Sequence, residues 1–306
     1  MRKKKKIIIV VILGFVLLIL GSLVTIPVLV MNSLANMHVN FEEVWTAEDF
    51  GIEAEHFFVT TDDKLKISAY EVSVENPKAI IICISGMHNP SATVYFGHAR
   101  LFKENKYATI LFDMRAHGES EGDMICLGYK EYLDTKAIVE HIKTDSVYKD
   151  IPVVVFGLSM GATTAINSIG EIPEIDGLIS LSAFSSWEDV FYEFMASQSP
   201  VFLAKMVKPF VPLVAFAKYR VNIWSIKPVK EIQKIGNRPA LIIHSKADSE
   251  VPYSNFERIM HHAPSHVKTF VREGDKHFIT ESFTEPEKDT EYSIKILDFL
   301  DSNFSK

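Results

Sequence analysis

Residues 151–166 read IPVVVFGLSMGATTAI, and this stretch decides the fold. The apolar run Ile151–Phe156 predicts a buried strand, and residues 162–166 predict a helix. Between them lies the pentapeptide G-L-S-M-G at positions 157–161. A serine at such a strand-to-helix turn is typical of a nucleophile elbow, where small residues leave room for the strained serine backbone. Ser159 is therefore the candidate nucleophile, and a turn that only caps a helix is the weaker interpretation.

Short apolar runs recur on both sides of this motif, and helix-length segments separate most of them. This rhythm is typical of strands buried on both faces of a parallel sheet. Near the start of the body, two strand-like segments flank the polar turn Thr61–Lys64 and predict an antiparallel hairpin. The predicted fold class is α/β, with a mostly parallel central sheet flanked by helices. The predicted strands are 56–60, 65–72, 79–84, 107–112, 151–156, 178–181, 240–243 and 267–271.

The composition excludes several classes of protein. The chain has 306 residues, 47% of them hydrophobic, with 14 Gly, 13 Pro and 2 Cys. These values exclude a disordered, collagen-like or disulfide-stapled protein, and the length suffices for a large core without metals. The formal net charge is −7, and the five basic groups in residues 1–6 leave −12 for the rest. An acidic body lacks the basic footprint of nucleic-acid binding, so we expect no nucleic-acid partner.

The N-terminal region predicts a membrane anchor. Residues 7–31 contain no charge, and about 25 residues at 1.5 Å each give ~37 Å of helix, enough to cross a ~30 Å hydrocarbon core. Ser33-Leu34-Ala35 resembles a small-residue cleavage site, but the apolar run is longer than that of a secretory signal peptide. We therefore expect an uncleaved signal-anchor helix over residues 7–31.

The charges beside this helix predict its orientation. Five positive charges precede it and four acidic residues lie between positions 42 and 49, so the positive-inside rule places the N-terminus in the cytoplasm. The expected location is the cell membrane, with a single span and the catalytic domain outside the cytoplasm. The predicted segments are a basic tail at 1–6, the anchor at 7–31, a juxtamembrane linker at 32–51 and one domain at 52–306.

The two cysteines do not suggest a disulfide. Cys83 lies inside an apolar strand-like run, and Cys126 lies in a loop-like stretch. We expect both to be reduced packing residues. That cysteine usage fits a bacterial surface better than an endoplasmic-reticulum lumen.

One segment interrupts the alternation of strands and helices. Residues 184–224 contain ten aromatic residues and three prolines. Lys205, Lys208 and the prolines interrupt the segment well before ~20 apolar residues, so a second membrane span is not expected. The segment predicts an inserted helical cap, with ordinary core helices as the alternative.

Two later loops supply partners for the serine, whose hydroxyl needs a base and an orienting carboxylate. Asp248 follows the strand 240–243, and His277 follows the strand 267–271, in the order Ser, Asp, His that the elbow motif predicts. Glu250 is a weaker candidate for the acid. His244 at its strand end is expected to be a packed, hydrogen-bonded residue. Surface or capping roles are expected of His261, His262 and His266.

The oxyanion that forms on the attacked carbonyl needs preorganised N–H donors. They typically come from the residue after the nucleophile and from the loop after an early strand. We therefore predict the backbone N–H groups of Met87 and Met160 as donors. His88, next to Met87, either lines the pocket or caps the loop, and the sequence leaves both roles open.

These residues resemble the α/β-hydrolase superfamily over roughly residues 52–306, in particular its monoacylglycerol-lipase-like and serine-aminopeptidase-like branch. The loop Asp113–Ser120, DMRAHGES, is similar to the D-x-R-G-H-G-x-S loop of that branch, with Ala116 in place of the usual Gly. Ser85-Gly86 stands where many relatives have His-Gly, so the donor loop departs from the pattern. The resemblance implies an α/β-hydrolase fold and places residues 184–224 as the cap over the site.

The resulting functional prediction is a membrane-anchored serine hydrolase that cleaves ester or related acyl bonds of an apolar, lipid-like substrate. The alternatives are a serine-aminopeptidase-like peptidase and a non-catalytic binding protein that kept the fold. If the protein is an exopeptidase, Glu188, Asp189 and Glu193 are the candidates for binding the free amino group of the substrate. Acidic residues at such positions more often form a solvent-exposed helix face. We expect no cofactor and no metal, since the sequence has no phosphate loop or metal-ligand cluster. The sequence leaves the oligomeric state open.

Overall fold

A single eight-stranded sheet forms the centre of the protein. The computed structural model describes residues 2–88 and 90–305. The strand order is β1-β2-β4-β3-β5-β6-β7-β8; β1, β2 and β4 pair antiparallel, and the pairs from β4 through β3 to β8 are parallel. The strands are β1 Glu55–Thr60, β2 Lys66–Val72, β3 Ile80–Ile84, β4 Ala108–Phe112, β5 Val153–Leu158, β6 Gly177–Leu181, β7 Ala240–Ser245 and β8 Lys268–Arg272.

Helices cover both faces of this sheet. The α-helices of the described chain are α1 Arg2–Ala35, α2 Phe96–Glu104, α3 Tyr132–Thr144, α4 Met160–Glu171, α5 Trp187–Gln198, α6 Val201–Val207, α7 Val211–Tyr219, α8 Pro228–Glu231, α9 Ser254–His262 and α10 Thr290–Phe304. Short 3-10 helices span Glu48–Phe50, Ala92–Tyr95, Lys208–Phe210, Ile232–Ile235 and Pro286–Lys288.

The pleat of the central strands divides the core into two layers. In β3, Ile80, Ile82 and Ile84 point to the layer that contains α3 and α4, whereas Ile81 and Cys83 point to the layer that contains α2 and α10. Every residue of β3, β4, β5, β6 and β7 is buried, which is why these strands read as continuous apolar runs. The predicted α/β-hydrolase fold is confirmed, including the antiparallel hairpin β1–β2.

The segment between β6 and β7 is helical. It contains α5, α6 and α7, which fall within the predicted cap at 184–224. Both α6 and α7 contact α1. Both also contact α5 and the 3-10 helix Lys208–Phe210, which lies between α6 and α7 in the chain. The carboxyl end of the sheet therefore lies next to a layer made of cap helices and the N-terminal helix.

The N-terminal helix is longer than the predicted span. Its apolar part, Lys6–Ala35, contains an 18-residue window with a mean hydropathy of 3.3 and is long and apolar enough to cross a membrane. The helix continues to Ala35, whose carbonyl accepts a hydrogen bond from Ile125 N at 2.7 Å. Beyond it, Val39 N donates to Ala116 O at 2.8 Å and Val39 O accepts from Gly118 N at 2.9 Å. The segment after the helix is thus held along the surface of the body.

The two cysteines are both buried and free. Cys83 lies in β3, and Cys126 lies in the loop between β4 and α3. The carbonyl of Cys126 accepts a hydrogen bond from Trp187 Nε1 at 3.1 Å. Cys126 therefore helps to join the start of the cap to the body.

Candidate active site

Ser159 occupies a strained turn between β5 and α4. Its φ of 57° and ψ of −118° lie outside the regions that non-glycine residues ordinarily adopt. A Cβ on Gly157 would lie 2.2 Å from Gly161 O, and a Cβ on Gly161 would lie 2.2 Å from Ile84 O. Only glycine fits at both positions, because backbone atoms of the turn and of β3 fill the space. The strand β5, the glycines at 157 and 161 and the helix α4 together hold Ser159 in this conformation.

Asp248 and His277 meet beyond the ends of β7 and β8. His277 Nδ1 lies 2.8 Å from Asp248 Oδ2, and the imidazole is almost fully buried. Two contacts hold the loop of His277, since Ser182 Oγ donates to His277 O at 2.7 Å and Ser245 Oγ donates to Lys276 O at 2.6 Å. The carboxylate therefore fixes the imidazole with Nδ1 as the donor and leaves Nε2 for other chemistry.

The carboxylate of Asp248 is held in its ionised form. Burial alone would raise the pKa of Asp248, but the hydrogen bond from His277, the charge of that imidazole and the backbone of Val251 together lower it below its usual value. Its other oxygen accepts hydrogen bonds from Glu250 N and Val251 N, both at 2.9 Å. Asp248 thus remains a carboxylate across the ordinary pH range.

The other candidate groups lie in different places around this pair. Glu250 Oε2 is 3.9 Å from His277 Nε2, so it faces the opposite nitrogen from Asp248. His244 is buried with its Nε2 2.8 Å from Val251 O, and burial lowers its pKa. His262 and His266 contact the backbone carbonyls of Arg258 and Arg238. Asp248, and not Glu250, therefore occupies the orienting position on His277.

Ser159 and His277 approach the same region from different loops. The hydrogen bonds found within residues 2–88 and 90–305 do not include one between Ser159 Oγ and His277 Nε2. Glu250 lies beside both groups, since it lines the same cavity as Ser159 and also the adjacent depression that contains His277. Catalytic hydrogen bonds are often long in unliganded sites and shorten when substrate binds.

The loop after β3 lies against the serine. A Cβ on Gly86 would lie 3.5 Å from Ser159 Cβ, so Met87 follows directly after the closest approach. Among the described residues, neither Met87 N nor Met160 N has a hydrogen-bond acceptor. Both residues line the cavity at Ser159. Two unpaired N–H groups therefore border the place where an attacked carbonyl would lie.

His117 holds this loop in place, a role that the sequence did not predict. Its Nδ1 lies 2.9 Å from Arg115 O, so Nδ1 carries the proton and donates, and its Nε2 accepts the backbone N–H of His88 at 3.2 Å. Because the amide of His88 is used in this way, it is not an oxyanion donor. Burial lowers the pKa of His117 to about 4, which keeps the imidazole neutral. His88 itself lines the cavity and has a positive φ of 68°.

The loop Asp113–Ser120 is a structural element of this region. The buried guanidinium of Arg115 binds Asp134 at 2.7 Å and Asp63 at 2.7 Å. Asp113 Oδ1 accepts Ala92 N at 2.8 Å, and burial raises the pKa of Asp113 to about 6. Ala116 has a φ of 62°, a conformation that favours glycine and explains why the resembling branch has glycine there.

A cavity of about 430 Å³ extends from Ser159 between the body, the cap and the end of α1. Most of its wall is apolar, which suits an apolar group bound next to the serine. The apolar lining comes from Met31, Leu34, Ala35, Met87, Leu127, Met160, Phe184, Trp187, Val190, Phe191, Phe194 and Pro252. The polar lining comes from His88, Ser159, Glu193, Ser197, Ser249 and Glu250.

The acidic residues at the start of the cap all have cationic partners. Glu188 binds Lys227 at 2.9 Å, Asp189 binds Lys208 at 2.6 Å, and Glu193 binds Arg258 at 2.6 Å. The pKa of Asp189 is lowered, because its hydrogen bonds outweigh the effect of burial. Lys208 belongs to the cap itself, whereas Lys227 and Arg258 lie outside it, and Arg258 also contacts Asp189 at 3.3 Å. These pairs therefore hold the cap helices together and attach the cap to the body. No cluster of three potential metal ligands was found among the described residues.

Known proteins share both the sequence pattern and the fold. Residues 75–240 match the family model described as serine aminopeptidase, S33. An uncharacterised protein of Bacillus subtilis, YqkD, is 27% identical over 246 residues, which is 77% of this chain and 75% of the relative. An uncharacterised membrane protein of Saccharomyces cerevisiae, YNL320W, is 23% identical over 142 residues, 46% of this chain and 49% of the relative.

A solved structure is similar over most of the chain. The Pyrococcus furiosus esterase Pf2001 is 26% identical, with a TM-score of 0.66, and the match covers 87% of this chain and 98% of the esterase. The family match covers more than half of the 306 residues, and it includes the elbow and the loop after β3. The chain therefore belongs to the serine aminopeptidase S33 family of α/β hydrolases.

Proposed function

We propose that this hydrolase is a membrane-anchored serine esterase that acts on apolar acyl esters. The observation that carries the proposal is the position of Ser159. Its side chain lies at a strained turn, lines an apolar cavity and is close to two backbone N–H groups that have no acceptor among residues 2–88 and 90–305. A buried Asp248–His277 pair stands on the next loops along the same edge of the sheet. This arrangement contains the groups that acyl transfer to water requires.

The proposed reaction has two stages. Ser159 Oγ attacks the ester carbonyl while His277 Nε2 takes its proton, and the N–H groups of Met87 and Met160 stabilise the oxyanion. The acyl–oxygen bond of the ester breaks, and His277 returns the proton to the leaving alkoxide. Water then attacks the acyl-serine with His277 as base, which releases the acid and restores Ser159. Asp248 orients His277 throughout and stabilises the imidazolium.

An ester substrate fits the cavity better than a peptide with a free amine. The cap carboxylates Glu188, Asp189 and Glu193 are all paired with cations, so they are not free to bind an ammonium group. The similar Pyrococcus protein is called an esterase. Both points favour acyl esters.

A peptidase is the second candidate, and one residue favours it. Glu250 lines the cavity, is exposed, and has only His277 near its carboxylate among the ion pairs of the described chain. A substrate ammonium group would find an anionic partner there. The description of the family as serine aminopeptidase is consistent with this alternative.

The anchor is proposed on length and apolarity. The helix Lys6–Ala35 contains an 18-residue window with a mean hydropathy of 3.3, and a yeast relative is named a membrane protein. We place the N-terminus in the cytoplasm and the catalytic domain outside, because the basic residues precede the helix and acidic residues follow it. The two free cysteines favour a bacterial cell surface over an endoplasmic-reticulum lumen. A protease-protection experiment on intact cells tests this orientation.

The decisive experiment for the chemistry is fluorophosphonate labelling of the full chain in detergent. We expect labelling of the wild type, none for Ser159→Ala, and wild-type labelling for Ser180→Ala, a buried β6 serine in a control position. Turnover of p-nitrophenyl esters is then compared with that of aminoacyl-nitroanilides that carry a free amine. Preference for the nitroanilide would support the peptidase. A folded wild type without labelling or turnover would overturn both enzymatic proposals.

A further inference from the structure

We infer that the α6–α7 face of the cap is embedded in the membrane leaflet beside α1, so that the cavity takes the acyl chain of a membrane lipid directly from that leaflet. The chemistry of this inference rests on the proposed function. The embedding of the cap rests on the proposed membrane span of α1 but not on the proposed esterase chemistry, because it follows from the length of α1 and from the surface of α6 and α7.

The free part of α1 is too short to span a bilayer alone. One face of the helix packs against the body from Leu23 onward, with Pro27, Met31 and Ala35 buried at every fourth residue. Before that contact, the uncharged part runs from Ile7 to Ser22. About 16 residues at 1.5 Å each give ~24 Å, which is less than the ~30 Å of a hydrocarbon core.

The missing length must come from the part of α1 that touches the cap. The next residues along the helix, from Leu23 to Met31, are apolar apart from Thr25, and no Lys, Arg, Asp or Glu occurs before Glu42. The helical elements that make the most extensive contacts with α1 are α6, α7 and the 3-10 helix between α6 and α7. If the hydrocarbon extends to about Pro27, these cap elements lie at the depth of the acyl chains and the headgroups.

The exposed surface of α6 and α7 is apolar, as expected for helices in contact with acyl chains. Both helices are short, yet α6 exposes four large apolar side chains and α7 exposes two. Phe202 is 62% exposed and Leu213 is 56% exposed, and Trp224 follows α7 with its ring 6.4 Å from that of Phe216. The other exposed apolar residues of these helices are Val201, Leu203 and Met206. Aromatic and aliphatic side chains of this kind are typical of helices that lie in a membrane interface.

The charges of the same segment match a headgroup layer. Residues 201–224 contain four basic residues and no acidic one, although the chain after residue 6 has a net charge of −12. Lys208 is paired with Asp189, whereas Lys205, Lys218 and Arg220 are exposed and take part in no ion pair within the described ranges. Exposed cations next to an apolar face can reach lipid phosphates.

The cavity connects this face with the serine. The end of α1 supplies Met31, Leu34 and Ala35 to its wall, and α5 supplies Phe191 and Phe194. Phe194 is also 42% exposed, so the cavity wall continues to the outer surface of the cap. An acyl chain that moves along α1 would therefore stay in apolar contact from the leaflet to Ser159. Its ester carbonyl would reach Ser159 for the hydrolysis described above, in which water supplies the oxygen of the released acid.

The embedding is tested by the depth of Trp224. The full chain is placed in nanodiscs of phosphatidylcholine and phosphatidylglycerol, with or without bromine on the acyl chains, and tryptophan fluorescence is measured. The Trp224 contribution is the difference between the wild type and Trp224→Phe. We expect bromine to quench at least half of that contribution. We expect Phe202→Asp or Leu213→Asp to reduce the quenching, and Val147→Asp, an exposed apolar site on the body, to leave it unchanged. A Trp224 signal that bromine does not quench overturns the inference.

The route of the substrate is tested with two esters that share a leaving group. p-Nitrophenyl palmitate is embedded in the nanodisc, and p-nitrophenyl acetate is supplied from solution. We expect Phe202→Asp to lower the palmitate-to-acetate ratio of kcat/KM at least fivefold, and Val147→Asp to change it less than twofold. An unchanged ratio in Phe202→Asp overturns delivery from the leaflet. If neither ester is hydrolysed, the proposed function fails, and the quenching experiment still decides the embedding.

Discussion

His277 Nδ1 and Asp248 Oδ2 lie 2.8 Å apart, although 29 positions separate the two residues in the chain. Asp248 follows β7 and His277 follows β8, and these neighbouring parallel strands end at the same edge of the sheet. Since the pKa of Asp248 is lowered, the carboxylate is ionised and fixes one tautomer of the imidazole. The nitrogen that stays available as an acceptor is therefore Nε2, the atom that a general base needs.

Asp248→Asn should reduce kcat by about 10⁴-fold while the fold is kept, because an amide no longer fixes the required tautomer. The measurement is ester turnover together with a thermal unfolding curve. Glu250→Gln is the matched carboxylate-to-amide change, and it faces Nε2 from 3.9 Å. We expect it to reduce kcat less than tenfold. The opposite order of the two variants would assign the orienting role to Glu250.

His117→Gln should lower kcat about tenfold with little change in KM, because His117 accepts the amide of His88 next to the proposed donor Met87. The effect is on the oxyanion and not on substrate binding. Steady-state kinetics with a short p-nitrophenyl ester separate the two parameters. A change confined to KM would show that the loop binds substrate instead of stabilising the oxyanion.

The same histidine should make the fold sensitive to acid. The pKa of His117 is lowered to about 4 in the fold, below its ordinary value of 6.5, so protons bind the unfolded chain more readily. The stability that neutral His117 contributes is complete above pH 6.5 and falls as the pH decreases from 6.5 to 4, by about 3 kcal/mol in total. Thermal unfolding at pH 7 and pH 4.5 should show a larger decrease for the wild type than for His117→Gln. Equal decreases would assign the acid sensitivity to other groups, such as His98, whose pKa burial lowers to about 3.

Gly157→Ala should destabilise the fold by about 3 kcal/mol, since the new Cβ would meet backbone atoms of Gly161 and Ala162 that have little room to move. Labelling at Ser159 should fall with it, because the elbow would have to open. Gly21→Ala is the control, as a Cβ there meets nothing within 4 Å. Chemical or thermal unfolding of both variants in detergent measures the difference. A wild-type melting temperature for Gly157→Ala would mean that the turn is more adaptable than its contacts indicate.

The strands and the elbow were predictable because their local chemistry marks them. Strands buried on both faces form continuous apolar runs, and the two glycines around Ser159 reflect contacts that only glycine allows. The pairing of Asp248 with His277 followed from the rule that parallel strands end at one edge. Their catalytic roles, and those of Met87 and Met160, stay predictions until they are tested.

Two parts of the site were not predictable in this way. The end of α1 lines the cavity, but every side of this helix is apolar, so its sequence has no period that marks the face in contact with the rest of the protein. The role of His117 depends on a hydrogen bond that its side chain accepts from the backbone N–H of His88, and 29 positions separate these residues in the chain. In both cases the information lies in tertiary packing and not in residue type.

Leu34→Trp should shorten the cavity, because Leu34 lines its wall from the end of α1. A shorter cavity excludes the distal methylenes of long acyl chains before it affects short ones. The ratio of kcat/KM for a twelve-carbon ester to that for a four-carbon ester should therefore fall about tenfold, since each excluded methylene contributes ~0.8 kcal/mol of binding free energy. Ser33→Trp adds the same side chain one residue earlier, at an exposed position outside the cavity lining. We expect Ser33→Trp to leave the dependence of kcat/KM on acyl-chain length as in the wild type. This control distinguishes an effect of lost cavity volume from an effect of disturbing α1. Identical profiles for Leu34→Trp and the wild type would mean that acyl chains bind elsewhere, and equal losses in both tryptophan variants would trace the effect to the helix itself.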